Sequence, residues 1–259
     1  MAEIEVDKST IAFNLLLVES ARNIAYDGTA NFHPKSKGIS TTLNGVENMP
    51  KYTSHEIESR VELSHKMFHQ LESYVDDFLN YVPFDFCHLE VYSLKLVAVI
   101  LEIGPELMSS FELAVSETNV GVSEFFGGTA RRDRDELWEK EKKLRDRKRS
   151  LTFNDYYCFL NKHGTPRLSS AIIELRGFDV HIMPFEEQSL QWWENHNLLK
   201  HDKYSNLKTA TLKTTLKALS ALFWLVDRNS RMFSFEKPFL SSLFLAKEGY
   251  ESGPSFKKL

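Results

Sequence analysis

Apolar residues at helical spacing between Thr53 and Pro83 limit what this chain can fold into more than any other feature. Ile57, Val61, Phe68, Leu71, Val75, Leu79 and Val82 recur at steps near 3.6, so they share one stripe of an α-helix. Thr53 and Glu56 stand ahead of the stripe as T-x-x-E. At that spacing each side chain can satisfy the other's backbone amide. Pro83 cannot continue a helix, and the pattern predicts one long helix ending at about Tyr81. Its apolar face needs partners, and the rest of the chain has to supply them.

Several segments fit that role. Ile11, Leu15 and Val18 mark a first helix over 9–26. Residues 88–115 are apolar on most sides, as a central helix must be, with a break expected at Gly104-Pro105. Asp133 and Glu136 can start a charged helix reaching Arg149, in which Glu136–Lys140, Glu139–Lys143 and Glu141–Arg145 have the favourable i to i+4 order. A short aromatic helix follows over 152–162. Ser205 is placed to cap a last helix whose stripe is Leu212, Leu216, Leu219, Phe223 and Val226. Between these lie 27–52, with a short hairpin around 39–43, the glycine-containing 121–129, and 164–184, all rich in turn-forming residues. The expected fold is all-α: a single-domain bundle over 1–259 of about six to eight helices, with irregular insertions at 27–52 and 164–184 and a partly mobile extension over 230–259.

Composition sets outer limits. With 259 residues, 42% of them hydrophobic, the chain can bury a substantial core. A net charge of -4 gives no overall attraction to nucleic acid, so any such contact must be local. The most apolar runs, 96–103 and 219–226, fall far short of the roughly 20 residues that cross a bilayer. The opening MAEIEVDKST lacks the layout of a secretory signal. A cytoplasmic protein that enters no membrane is expected. Cys87 and Cys158 are isolated beside aromatic residues, which predicts buried free thiols.

Most chemical motifs are missing, and no cofactor is expected. Gly127-Gly128-Thr129 lacks the lysine of a P-loop, and neither G-x-S-x-G nor H-E-x-x-H occurs. Glu62-x-x-His65 has a spacing that helical bundles use for metals, but no second copy exists. Glu58, Glu62, His65, His69, Glu72 and Asp76 therefore read as a solvated helix face. Arg131, Arg132, Arg134 and the basic residues of 142–149 read as a surface helix laced with ion pairs, without the interleaved aromatics of a base-stacking surface.

Unusual chemistry is concentrated in WWENHNLLKHDK, Trp192 to Lys203. Asn197 and His201 stand at i and i+4 and share a helical face. His201 can serve as a general acid or base, and Asn197 and Lys200 can orient an anionic group such as a phosphate. Lys203 adds positive charge, and Trp193 can contribute to a binding surface. Equally, Trp192 and Trp193 can anchor the helix while Asn197 and His201 bond to nearby backbone.

This string resembles the WW-x-x-[YH]-N-x-x-KH-D-[RK] signature of a little-characterised group of bacterial all-helical proteins. YSLKLVAVILEIGPELMSSFE, at Tyr92 to Glu112, and TATLKTTLKALSALFWLV, at Thr209 to Val226, resemble the same group. These proteins are in turn similar to HEPN domains, helical bundles that are often RNA-cleaving toxins or defence nucleases. The resemblance implies an R-N-x-x-x-H-type motif laid on this chain with Asn197 at its asparagine and His201 at its histidine. His196 stands where that motif has arginine, and it lacks arginine's permanent forked charge. If the motif works here, it implies metal-independent RNA cleavage, with His201 moving the proton and His196 or Lys200 stabilising charge, at a site completed in a homodimer. Two functions are open: a HEPN-like RNA-binding protein or endoribonuclease of a stress or phage-defence system, and a non-catalytic helical module that binds a protein partner.

Overall fold

A computed structural model describes residues 52–116, 130–164, 167–186, 190–233, 239–247 and 257–259, all within one compact unit, Asn48–Leu259. The expectations for 9–26, for 27–51 with its hairpin, and for 121–129 lie outside the described residues.

Helix α1 spans Ser54–Leu79 and starts at the expected capping box. Thr53 Oγ1 accepts from Glu56 N at 3.3 Å, and Thr53 N donates to Glu56 Oε2 at 2.7 Å. Its stripe is buried, with Phe68, Leu71 and Val75 fully so. Each such side chain contributes about 2 kcal/mol relative to exposure.

Helix α2, Leu94–Val115, is capped by Ser93 and runs without interruption through Gly104 and Pro105. The expected break is therefore corrected. Leu96, Ile100, Ile103, Leu107 and Phe111 are buried along its length, and that packing outweighs the cost of about 3 kcal/mol that proline carries inside a helix. Pro105 has no N–H to offer the carbonyl of Leu101.

Helix α3, Ala130–Arg145, lies on the surface with Leu137, Trp138 and Leu144 against the core. Arg145 pairs with Glu141 at 2.6 Å as expected, whereas Lys140 reaches Asp155 at 2.5 Å instead of Glu136. Asp133 caps nothing in α3. It accepts from His163 Nε2 at 2.7 Å and from Lys162 at 2.5 Å, the last turn of α4, Phe153–His163. Bonds first from Lys162 and then from His163 hold its carboxyl below the ordinary aspartate range.

Helix α5 spans Gln191–His201, and α6 spans Leu212–Met232. Thr211, not Ser205, caps α6: its Oγ1 accepts from Thr214 N at 3.1 Å. Ser205 sits in a turn closed on Asp202 Oδ1. Helices α1, α2 and α6 pack together at the centre, with α4 and α5 against α2.

The protein is mostly helical, but it is not all-α. Residues 164–184, expected to be irregular, contain a hairpin of β1, Ile172–Leu175, and β2, Val180–Ile182, turned at Gly177 with φ +78°. The C-terminal extension adds β3, Phe244–Lys247, antiparallel to β1, and β4, Lys257–Lys258, parallel to β2, giving the order β3-β1-β2-β4. The β-branched residues of AIIELRGFDVHI favour strands, and Ile173, Leu175, Val180 and Ile182 close over the helical core.

Two further expectations are corrected. Cys87 and Cys158 are free but exposed. Cys87 sits in the one-turn 3-10 helix Phe86–His88, and Cys158 falls off the buried stripe Phe153, Tyr156, Leu160 and His163 of α4. On α1, Glu62 faces solvent, bonded to Lys66 at 2.7 Å, but Glu72 is buried. Glu72 Oε1 accepts from Ser241 Oγ and from Leu243 N at 3.0 Å, and Asp76 accepts from Ser242 Oγ at 2.9 Å. Phe239 lies over His65 and His69, with ring centroids 4.6 and 5.2 Å away. The part of the supposed solvated face from His65 to Asp76 is thus where 239–247 docks, while Glu58 and Glu62 stay exposed. Among the described residues no helix is long and apolar enough to cross a membrane.

Candidate functional site

Helix α5 is anchored by its inner face. Trp192 Nε1 donates to Pro184 O at 2.7 Å, Leu199 is buried, and Asn195 Nδ2 donates to Thr214 Oγ1 of α6 at 3.1 Å. This fixes the rotation of α5 and sends Trp193, His196, Asn197 and Lys200, at i, i+3, i+4 and i+7, to an adjoining face. Together they form one wall of a cleft of about 710 Å³. The other walls come from α2 at Gly104 and Pro105 and from the start of α4 at Phe153 and Asn154.

Three rings organise the cleft. Trp193 stacks on Phe153 at 4.3 Å and on His196 at 4.6 Å, with interplanar angles of 21° and 14°. Much of its π surface is committed to protein rings, which leaves Trp193 better suited to positioning His196 than to stacking on a base. The His196 ring in turn lies against Gly104, where a Cβ would overlap Nε2 and fall 2.6 Å from Cε1 and 2.8 Å from Cδ2. Glycine is the residue that permits this approach.

His196 is 5% exposed, and its Nδ1 has no hydrogen-bond partner. Burial lowers its pKa; the Asn197 side chain partly opposes this, and the Lys200 charge adds to it. At neutral pH the ring is an uncharged imidazole, able to accept a proton but unable to act as a fixed cation. Lys200, on the exposed edge, supplies the positive charge of this wall.

The structure therefore groups four of the six sequence-predicted residues. His201 closes α5 on the solvent side and does not line the cleft. Lys203 lies beyond it with its ammonium 5.2 Å from the Tyr204 ring centroid. Sequence reasoning missed Gly104, Phe153 and Asn154. An isolated glycine inside a strong helical pattern was the available signal for a close approach.

Burial of His196 has a consequence for stability. Its folded pKa lies below the unfolded value of about 6.5. As pH falls through that value the unfolded chain binds a proton that the folded chain refuses, so stability is complete above it and declines on acidification. His65 is shifted the same way, mainly by burial. Urea unfolding between about pH 7.5 and 5.5 should show this decline. His196→Gln should flatten it by up to ~1.4 kcal/mol per pH unit, leaving the His65 share. An unchanged slope in that variant would mean that His196 takes up its proton freely in the folded protein.

Comparison of the chain with family models, with curated proteins and with solved structures gave no match.

Proposed function

We propose that the protein binds RNA in the cleft between α2 and α5 and acts as a HEPN-like, metal-independent endoribonuclease in bacterial stress or phage defence. The observation that supports this reading most is the convergence of an uncharged imidazole, an amide and an ammonium along one concave surface. Lys200 holds a backbone phosphate as a point charge. Asn197 orients it, and the His196 imidazole accepts the ribose 2′-OH proton. The 2′-oxygen then bonds to the adjacent phosphorus as the bond to the 5′-oxygen breaks, leaving a cyclic phosphate and a 5′-hydroxyl. His201 lies off the cleft in a single chain, so the proton for the leaving oxygen comes from His201 of a second copy in a homodimer. RNA as substrate agrees with a cytoplasmic setting.

One observation favours the other reading, a non-catalytic interaction module. Leu198 and Tyr204 flank His201 with 46% and 75% of their surface exposed, and such apolar surface suits a protein partner.

Incubating the purified protein with mixed cellular RNA in EDTA separates the two. Cleavage by the parent is expected, with His201→Ala slowed by about 10²–10⁴-fold. That variant should keep its stability within about 1 kcal/mol, because the side chain is exposed. His196→Ala should also lose cleavage. RNA bound but intact would remove the catalytic part of the proposal. RNA neither bound nor cleaved, at dimer-forming concentration, would leave the interaction module.

A further inference from the structure

Helix α5 has a second concave flank. On the side away from the cleft, the turn 207–210 and the start of α6 enclose a pocket of about 280 Å³. Lys208, Lys213 and Lys217 line it, and Glu90 is the only acidic side chain to do so. Among the described residues, the ammonium groups of Lys208 and Lys213 have no ion-pair or hydrogen-bond partner. Lys213 and Lys217 stand at i and i+4 on α6, where like charges repel. The unpaired charges of Lys208 and Lys213 leave the cavity electropositive, which favours an anion there.

The pocket floor is built to stay in place. Asn195 Nδ2 donates to Thr214 Oγ1 at 3.1 Å, and Thr211 Oγ1 lies 3.1 Å from the same oxygen. The backbone amides of the first turn of α6 are already committed. Leu212 N donates to Val91 O at 2.9 Å, Lys213 N to Leu89 O at 3.0 Å, and Thr214 N to Thr211 Oγ1 at 3.1 Å. An anion here is therefore held by the lysine side chains, over a rigid polar base. Lysine ammonium groups suit phosphate oxygens as compact point charges.

We infer that this pocket is a second phosphate site, occupied by a backbone phosphate of the RNA whose neighbouring segment lies in the α2/α5 cleft. Lys200, Lys203, Lys208, Lys213 and Lys217 succeed one another along 200–217, where Asp202 is the only acid. Asp202 is itself engaged with the amides of Tyr204 and Ser205, at 3.2 and 3.1 Å. In a chain of net charge -4 this is a concentrated positive tract, and it links one flank of α5 to the other. The RNA assignment rests on the function proposed above; the phosphate pocket does not.

The test is fluorescence anisotropy of a labelled single-stranded oligoribonucleotide over a range of KCl concentrations. Proteins compared are the parent, Lys200→Gln, the triple variant Lys208→Gln/Lys213→Gln/Lys217→Gln, and Lys66→Gln on α1 as a control. The triple variant should bind at least about tenfold more weakly, with a salt slope reduced by roughly 0.7 for each phosphate released. Lys66→Gln should match the parent. The mutated side chains are exposed or half-buried, and an unchanged thermal melt verifies folding. If Lys200→Gln weakens binding while the triple variant matches the parent in affinity and slope, the second site is overturned and the cleft stands. If the parent binds no RNA, the RNA assignment fails, and titration with inorganic phosphate decides the rest. Shifts of the Asn195 side-chain amide resonance in the parent but not the triple variant would keep the pocket as a site for a free phosphate compound. No shift in either would overturn it.

Discussion

Gly104→Ala should destabilise the protein by about 2 kcal/mol, opposite to what helix propensity alone dictates. Alanine is favoured over glycine inside a helix by about 1 kcal/mol, and Gly104 lies well inside α2. The new Cβ, however, would clash with Nε2 of the His196 imidazole. That ring cannot swing aside freely, since it stacks on Trp193, which is itself stacked on Phe153. The helix cannot retreat either, because Ile103 and Leu107 hold it in the core. Overpacking of this kind costs up to about 3 kcal/mol, which exceeds the propensity gain. His196→Ala removes the clash, so in its background Gly104→Ala should regain its stabilising sign. Urea unfolding of the four proteins measures this, with a coupling of about 1–3 kcal/mol expected between the two positions. A stabilising effect of Gly104→Ala alone would mean that the imidazole moves easily and that the cleft is not preformed.

Glu72→Ala should be the more damaging change, at about 3 kcal/mol or more. The carboxylate is buried and joins α1 to the C-terminal segment through Ser241 Oγ and Leu243 N. Hydrogen bonds to a charged group contribute about 1.5–3 kcal/mol each, and the truncation leaves a buried amide without an acceptor. Glu72→Gln keeps one acceptor oxygen and should cost less. Since 239–247 carries β3, its release also uncovers an edge of β1, and unpaired edges invite association. Chemical denaturation together with limited proteolysis would show both effects. A loss below about 0.5 kcal/mol without new cleavage near Ser241 would place the anchor of that segment elsewhere.

The legible parts of this fold are those whose cause is local. Helix α1 announces itself because its capping box and its apolar period lie in the same stretch of sequence. Gly104-Pro105 misleads by the same logic: the two residues do break isolated helices, and only burial by residues far along the chain overrides them. Glu72 reads as solvated because the groups it binds are 169 and 171 residues away. The strands are two to four residues long, too short for their alternation to stand out, and β1 is completed by a partner near residue 245. The α5 wall of the cleft was visible in Trp192–Lys203. Its separation of His201 from Asn197, and the wall facing it, depend on which helices come together.

The order of strands in the sheet has a bearing on how the molecule assembles. Ile173 and Ile182 pair across the turn at Gly177, so the hairpin can close as soon as both halves exist. Ile172 meets Lys247, and Val180 meets Lys257, only after all of α5 and α6 intervenes. Contacts between such distant residues pay a larger entropy of closure and form slowly. Until those pairings form, the central pair has both edges open. That interval, not the finished state, is when the chain is most exposed to pairing with the wrong strand.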